Sequence, residues 1–299
     1  MNVGPTLVLD TFAEAFRMRY VRLLVTADDG FWLNEAVRSA SGYASSIIAC
    51  DTEAGLERLL AAEETPDGRP GAALMMFGFS KESLAPAVAN RVGQCIMTCP
   101  TTAVFDGLPD AEERVPLGKL IRYFGDGFQK SKQLAGRRYW RVPVMDGEFL
   151  VQESLGVEKG IGGGNLILQA QDVAAGLAAV RRAIETIRPM SGVIAPFPGG
   201  VARSGSKVGS RYKKLKASTA DTYCPTLRGR VETALVEGVN CCYEIVLDGS
   251  DEEPIGHALA QGIRAAAGAG VVAIGAGNYG GKLGKFHFHL RELLAKYAP

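Results

Sequence analysis

The sequence predicts an α+β protein made of two ferredoxin-like (split βαβ) α/β sandwich lobes with inserted β excursions. Two observations carry this expectation. First, one pattern recurs four times: a short apolar strand, an amphipathic helix, then a second short strand rich in small residues. The copies run from residues 21–27 to 47–50, from 72–77 to 95–98, from 165–170 to 193–195 and from 242–247 to 271–274. Second, two long stretches, 102–150 and 199–240, fall outside the repeat. A single βαβ unit cannot cover its own sheet, whereas two in tandem make a split βαβ lobe. Four copies therefore imply two lobes, residues 1–150 and residues 151–299. A site then falls in a seam between lobes or subunits rather than in one nucleotide crevice.

Taken in order, residues 10–16 form a lead-in whose Asp10 or Thr11 can cap a short helix. Residues 63–71, Glu-Glu-Thr-Pro-Asp-Gly-Arg-Pro-Gly, have the chemistry of consecutive turns and join the first two repeats. Within the first excursion, residues 123–127, 138–143 and 147–151 read as short strands with tight turns. The second excursion separates the third repeat from the fourth. A connection of that length inside a compact lobe is usually functional.

The 299 residues suffice for two modest cores, and 47% apolar with 22% charged residues is the composition of an ordinary globular protein. A formal charge of +1 recommends neither nucleic acid nor a membrane surface as a partner. The six cysteines lack CxxC spacing and sit mostly in apolar strands, which reads as buried reduced thiols in a cytoplasmic protein. Adjacent Cys241 and Cys242 point to opposite strand faces and make a poor metal clamp. No run reaches transmembrane length, and the N-terminus lacks the signature of a leader. No metal site is expected.

Several segments are candidates for chemistry. Residues 275–280, Gly-Ala-Gly-Asn-Tyr-Gly, match GxGxxG after a predicted strand, but they close the last repeat and no ribose-binding acid follows. They are either a tight turn or a loop presenting Asn278 and Lys282 to a ligand. Glycines flank the third repeat at both ends, placing Gly163 with Asn165, and Gly199 with Gly200, where backbones or a flat ligand can come close. Plain turns are the competing explanation. Residues 200–207 superficially match a phosphate loop, but Ser206 stands where Gly must precede Lys. Arg203, Lys207, Arg211, Lys213, Lys214 and Lys216 make the second excursion basic. It is either a solvated loop or a landing site for a small polyanion such as a carboxylate-rich coenzyme tail. Glu244 interrupts an otherwise apolar strand. A carboxyl desolvated there holds its proton towards neutral pH, while a solvent-facing or ion-paired carboxylate does not. His257, His287 and His289 are the three histidines; His287 and His289 alternate with no acidic or thiolate partner at ligand spacing and read as structural, and no Gly-x-Ser-x-Gly elbow offers a serine nucleophile.

Together these segments resemble formylmethanofuran:tetrahydromethanopterin formyltransferase. The resemblance is carried by residues 10–16, 64–71, 91–95 with Pro100 and Thr101, 124–127, 147–149, 195–200, 206–210, 217–219, 223–226, 243–246 and 277–284, so it runs nearly end to end. It implies two ferredoxin-like lobes assembling into a homo-oligomer, with a tetramer expected. It also implies reversible transfer of a formyl group between the amine of methanofuran and a ring nitrogen of tetrahydromethanopterin. These coenzymes would be substrates, with no tightly bound cofactor. Glu244 matches the family's proposed catalytic glutamate, and Gly163, Asn165, Gly199, Gly200, Ser206, Lys207, Arg211, Asn278 and Lys282 fall in the segments expected to bind substrate. The balanced charge points to a bacterial host, in which family members act as one subunit of a formyltransferase/hydrolase complex. The alternatives are a non-catalytic coenzyme-binding subunit of a formyl-hydrolysing complex, and a generic ligand-binding protein.

Overall fold

A computed structural model describes residues 1–298 and shows an α+β protein. By its contacts the chain divides into two compact units, Met18–Gly160 and Met1–Arg17 with Ile161–Pro299. The sequence division at 150/151 differs in that the first residues group with the C-terminal unit.

In the unit Met18–Gly160, the strand Phe12–Thr26 contributes from Met18 onwards. The helix Gly30–Ser41, the strands Glu53–Leu60 and Gly71–Gly78, the helix Lys81–Arg91 and the strand Ala103–Asp106 follow. These four strands pair with one another antiparallel. The first strand lies between the third and the fourth, and the second pairs only with the third. Alternation buries Val21, Leu23 and Val25 against Leu33, Ala36, Val37 and Ala40, the inward stripe of the first helix. Asp29 and Ser80 start the two helices by accepting from backbone N–H groups that a first turn leaves unpaired. Of the expected excursion strands, 138–143 and 147–151 lie within Arg137–Val144 and Gly147–Gln152, the strand Lys130–Leu134 is an addition to them, and residues 123–127 form instead a tight helical turn with Asp126 left-handed at φ 50°.

Three local expectations are corrected. Residues 47–50 are turns, and the second strand is Glu53–Leu60, where Glu53, Glu57 and Arg58 obscured the strand pattern. Residues 95–98 continue from the helix Lys81–Arg91 through a wide turn, because buried Val88, Val92 and Ile96 keep a spacing of four. The lead-in is extended, not helical: Ala13 and Ala15 are buried and pair with Phe288 and Phe286.

The other unit repeats the pattern. The strand Ser154–Ala170 contributes from Ile161, followed by the helix Val173–Ile187, the strands Val193–Ile194 and Cys241–Gly249, the helix Glu252–Ala266 and the strand Val271–Gly275. Again the first strand lies antiparallel between the third and the fourth, and the second pairs with the third. Asp172 and Asp251 cap the helices. Ala183, Ile184 and Ile187 of one helix and Ile255, Leu259 and Ile263 of the other cover Leu166, Leu168, Ile245 and Leu247. Residues 199–240 are short turns and one small hairpin, Lys207–Val208 with Ala217–Ser218.

In the unit Met18–Gly160, a Cβ on Gly156 would collide with the Leu108 carbonyl and the Ala111 side chain. Gly156→Ala is therefore expected to cost about 1–3 kcal/mol, the usual range for overpacking. A lowered urea midpoint at unchanged slope would register it.

Candidate active site

The pleat of one antiparallel pair builds the site. Glu244 lies opposite Ile167 and Asn165 opposite Val246, so the two polar residues are diagonal neighbours on one face. Glu244 is only 4% exposed. Its Oε1 accepts from Asn165 Nδ2 at 2.6 Å and from Ser206 Oγ at 2.6 Å. Its Oε2 is buried with no hydrogen-bond partner among the described residues. The Asn165 amide has one orientation, because its Oδ1 accepts the Gly277 N–H at 2.9 Å and leaves its NH2 to Glu244. Ser206 reaches the acid because the excursion is clasped to the strand: the Ala202 N–H donates to the Glu244 carbonyl at 2.8 Å.

Burial pushes the Glu244 carboxyl above the usual carboxylate range, against the downward pull of the Ser206 and Asn165 hydrogen bonds. Burial thus shifts Glu244 towards its neutral form relative to a free glutamate, and with Oε1 already accepting twice, Oε2 is the oxygen left to carry a proton. Glu244 lines a cavity of about 40 Å³, with Ile167, Ala202, Tyr223, Cys224 and Cys242 among its walls. That volume holds a water or two. Burial, and then the neighbouring Cys241, Cys224 and Glu244, push the Cys242 thiol up to about 12, so it stays protonated at neutral pH. Burial also raises the Tyr223 phenol, helped by Cys242 and Glu244. Cys242 and Tyr223 are therefore uncharged at neutral pH, while Arg203 contributes a positive charge to the lining.

The sequence-derived candidates separate into groups. Asn165 and Ser206 meet Glu244. Lys207 forms an ion pair with Asp221 at 2.7 Å, and with Arg211 and Arg230 it lines a second cavity of about 490 Å³ in the excursion. Asn278 bonds to Thr11 Oγ1 and to the Phe12 carbonyl, so it ties its own loop down, and Lys282 is exposed. Gly163, left-handed at φ 93°, sits at an irregularity of its strand facing Phe16, and its N–H donates to Asp248. Gly199 is exposed, whereas Gly200 packs on Ile184 beside a separate small cavity. Neither of these three glycines lines the Glu244 cavity. The sequence gives no sign that Cys242 and Tyr223 stand beside Glu244, since nothing local marks a cavity wall.

The same unit holds a second buried acid, Glu14. Glu14 is 5% exposed, and its carboxylate accepts backbone N–H groups of Tyr279 (2.7 Å), Gly281 (3.0 Å), Gly284 (2.6 Å) and Leu283. Burial alone would raise its pKa, but these four donors together hold it below the usual glutamate value. The glycine-rich loop is thus wrapped around a protein carboxylate. Among the described residues, no cluster of three or more His, Cys, Asp or Glu is placed to hold a metal ion, and no helix is long and apolar enough to cross a membrane.

A buried acid beside a small cavity on an α+β scaffold has the make-up that acid–base chemistry requires, and comparison with known proteins supplies the family. Residues 1–144 match the family model of formylmethanofuran-tetrahydromethanopterin formyltransferase, and residues 147–293 match that of its proximal lobe. The chain is 52% identical to the formylmethanofuran–tetrahydromethanopterin formyltransferase of Methylococcus capsulatus, over 99% of this chain and all of that one. Identity to the Methanosarcina barkeri enzyme is 45%, over 98% of this chain and all of that one. A solved structure of the formyltransferase from Methanosarcina barkeri has a TM-score of 0.92 at 44% identity, covering 98% of this chain and 100% of that one. A chain of the formyltransferase/hydrolase complex from Methylorubrum extorquens, solved with methylofuran, also has a TM-score of 0.92, at 45% identity and 96% coverage of each chain. The chain therefore belongs to the formylmethanofuran-tetrahydromethanopterin formyltransferase family, and it is an enzyme of the transferase class.

Proposed function

We propose that this chain moves a formyl group reversibly between methanofuran, or a bacterial analogue of it, and tetrahydromethanopterin, with Glu244 as general acid/base. The observation that carries the mechanism is the asymmetric Glu244 carboxyl: among the described residues Oε1 accepts two hydrogen bonds and Oε2 has no hydrogen-bond partner, in a desolvated setting that favours the neutral acid. The pterin nitrogen attacks the formyl carbon, a C–N bond forms, and the carbonyl electrons move to oxygen. An alkylamine is a poor leaving group until it is protonated. Glu244 Oε2 gives its proton to that nitrogen as the oxyanion electrons re-form the carbonyl and the old C–N bond breaks, its electron pair leaving with the amine, and the carboxylate recovers a proton from the attacking nitrogen. Orientation of the two coenzymes supplies the rest. No covalent enzyme intermediate is needed. Measuring kcat of Glu244→Gln tests this assignment.

The basic cavity around Arg211, Arg230 and the Lys207–Asp221 pair supports a landing site for an anionic coenzyme tail. Arg211→Gln is expected to raise the apparent KM for one coenzyme about tenfold, the worth of one charged hydrogen bond, at unchanged kcat. Unchanged KM values for both coenzymes would place the tail elsewhere. Gly163, Gly199, Gly200, Asn278 and Lys282 then shape or flank the surrounding surface.

Each unit is read as a ferredoxin-like lobe, supported by the strand–helix–strand repeat and by a first strand lying antiparallel between the third and fourth. A cytoplasmic homo-oligomer, and a place beside the other subunits of a formyltransferase/hydrolase complex, complete the proposal. The likeness to a chain of the Methylorubrum extorquens complex supports that placement.

A further inference from the structure

We infer that Glu14 is a positioning residue for formyl transfer: its carboxylate fastens the 275–284 loop and, through that loop, fixes both donors to Glu244. This rests on the reading of Glu244 as the acid. Glu14 Oε2 takes the N–H groups of Tyr279 and Gly281, and Oε1 those of Leu283 and Gly284. Four N–H groups converging on one side chain need an acceptor with about four lone-pair sites and no hydrogens, which only an ionised carboxylate provides. The loop is a backbone anion nest whose anion is built into the chain.

From this anchored loop two contacts lead to the acid. The Gly277 N–H holds Asn165 Oδ1 at 2.9 Å, which turns the Asn165 amide N–H towards Glu244 Oε1. The Tyr279 hydroxyl accepts the Val208 N–H at 2.6 Å, two residues beyond Ser206, whose Oγ is the other donor to Glu244 Oε1. Glu14 itself does not line the Glu244 cavity. Both donors therefore depend on a loop whose backbone Glu14 gathers.

The test reads Glu14→Gln, Asn165→Leu, Glu244→Gln and the Glu14→Gln/Asn165→Leu double variant in one assay of formyl transfer across pH. Gln offers one acceptor oxygen and turns an NH2 group towards N–H donors, so the loop is released. Expected for folded Glu14→Gln are a kcat loss of about 10- to 100-fold, the worth of one to two hydrogen bonds, with KM values close to the parent. The alkaline limb of the kcat profile should move up, as Glu244 loses donors to its charged form. The double variant should be no slower than the slower single one, because both changes act on one contact chain. Parent-like kcat and limb in folded Glu14→Gln, or additive losses in the double variant, overturn the inference. A loss of thermal stability alone, without the pH shift, overturns it as well. Should Glu14→Gln not fold, Glu14→Asp, which keeps the charge on a shorter stem, is read instead: a smaller loss with the same shift supports the inference, and a parent-like profile overturns it. If Glu244→Gln is active, the acid assignment fails and this inference with it; if Glu244→Gln is inactive while Glu14→Gln is parent-like, only the role of Glu14 fails.

Discussion

Glu244→Gln is expected to fold like the parent and to lose about 10²- to 10⁴-fold in kcat, the usual contribution of a positioned general acid. The amide matches the carboxyl in shape, and its oxygen can still accept from Asn165 and Ser206, so both 2.6 Å contacts can persist. What the variant lacks is a transferable proton where Oε2 stands. KM values should change little, because the interaction lost belongs to the transition state. Stability gives an internal control. Burial raises the folded-state pKa of Glu244, so the folded protein holds this proton to higher pH than the unfolded chain. Its contribution to stability therefore falls as pH rises from the unfolded glutamate value, about 4.3, through the raised folded value, and then levels off. The Gln variant has no such decline and should be at least as stable as the parent at neutral pH. Urea midpoints at acid and neutral pH check the sign, and a kcat within a few-fold of the parent removes Glu244 from the reaction.

Asn165→Leu should have the second-largest effect on turnover. The amide bridges the loop and the acid, accepting from the Gly277 N–H and donating to Glu244 Oε1. Leu keeps the size and removes both bonds. A hydrogen bond to a charged group is worth about 1.5–3 kcal/mol, so kcat is expected to fall about 10- to 150-fold. The carboxylate form loses a donor, which moves the Glu244 pKa further up and the alkaline limb of the kcat profile with it. A limb that stays in place, or moves down, would separate Asn165 from the acid.

Much of this arrangement is legible in the sequence for simple reasons. Val21, Leu23 and Val25 alternate, and the helical stripes 33–36–37–40 and 180–183–184–187 declare themselves by period. The strand Glu53–Leu60 does not, because Glu53, Glu57 and Arg58 stand among its apolar positions. Buried Glu57 receives two hydrogen bonds from Arg22, a partner brought by tertiary structure. Glu244 is legible as an acid within an apolar strand. Its pairing with Asn165 is not, since it depends on the register that sets Val246 opposite Asn165. Glu14 carries the same signal, one acid among Phe12, Ala13, Ala15 and Phe16, but reading the segment as a capped helix placed that acid on a turn. The donors it binds are backbone groups at residues 279–284, which carry no side-chain signature. The glycine loop followed the same logic in reverse: it looked like a ligand cradle because it is one, and its ligand is Glu14.

The most direct measurement is the protonation state of Glu244 itself, read by infrared difference spectroscopy of the parent against Glu244→Gln as pH is varied. A protonated carboxyl band that persists well above the ordinary glutamate range, and is missing from the variant, is the expected result. A carboxylate band already complete near the pKa of a free glutamate would contradict the proposed proton donor.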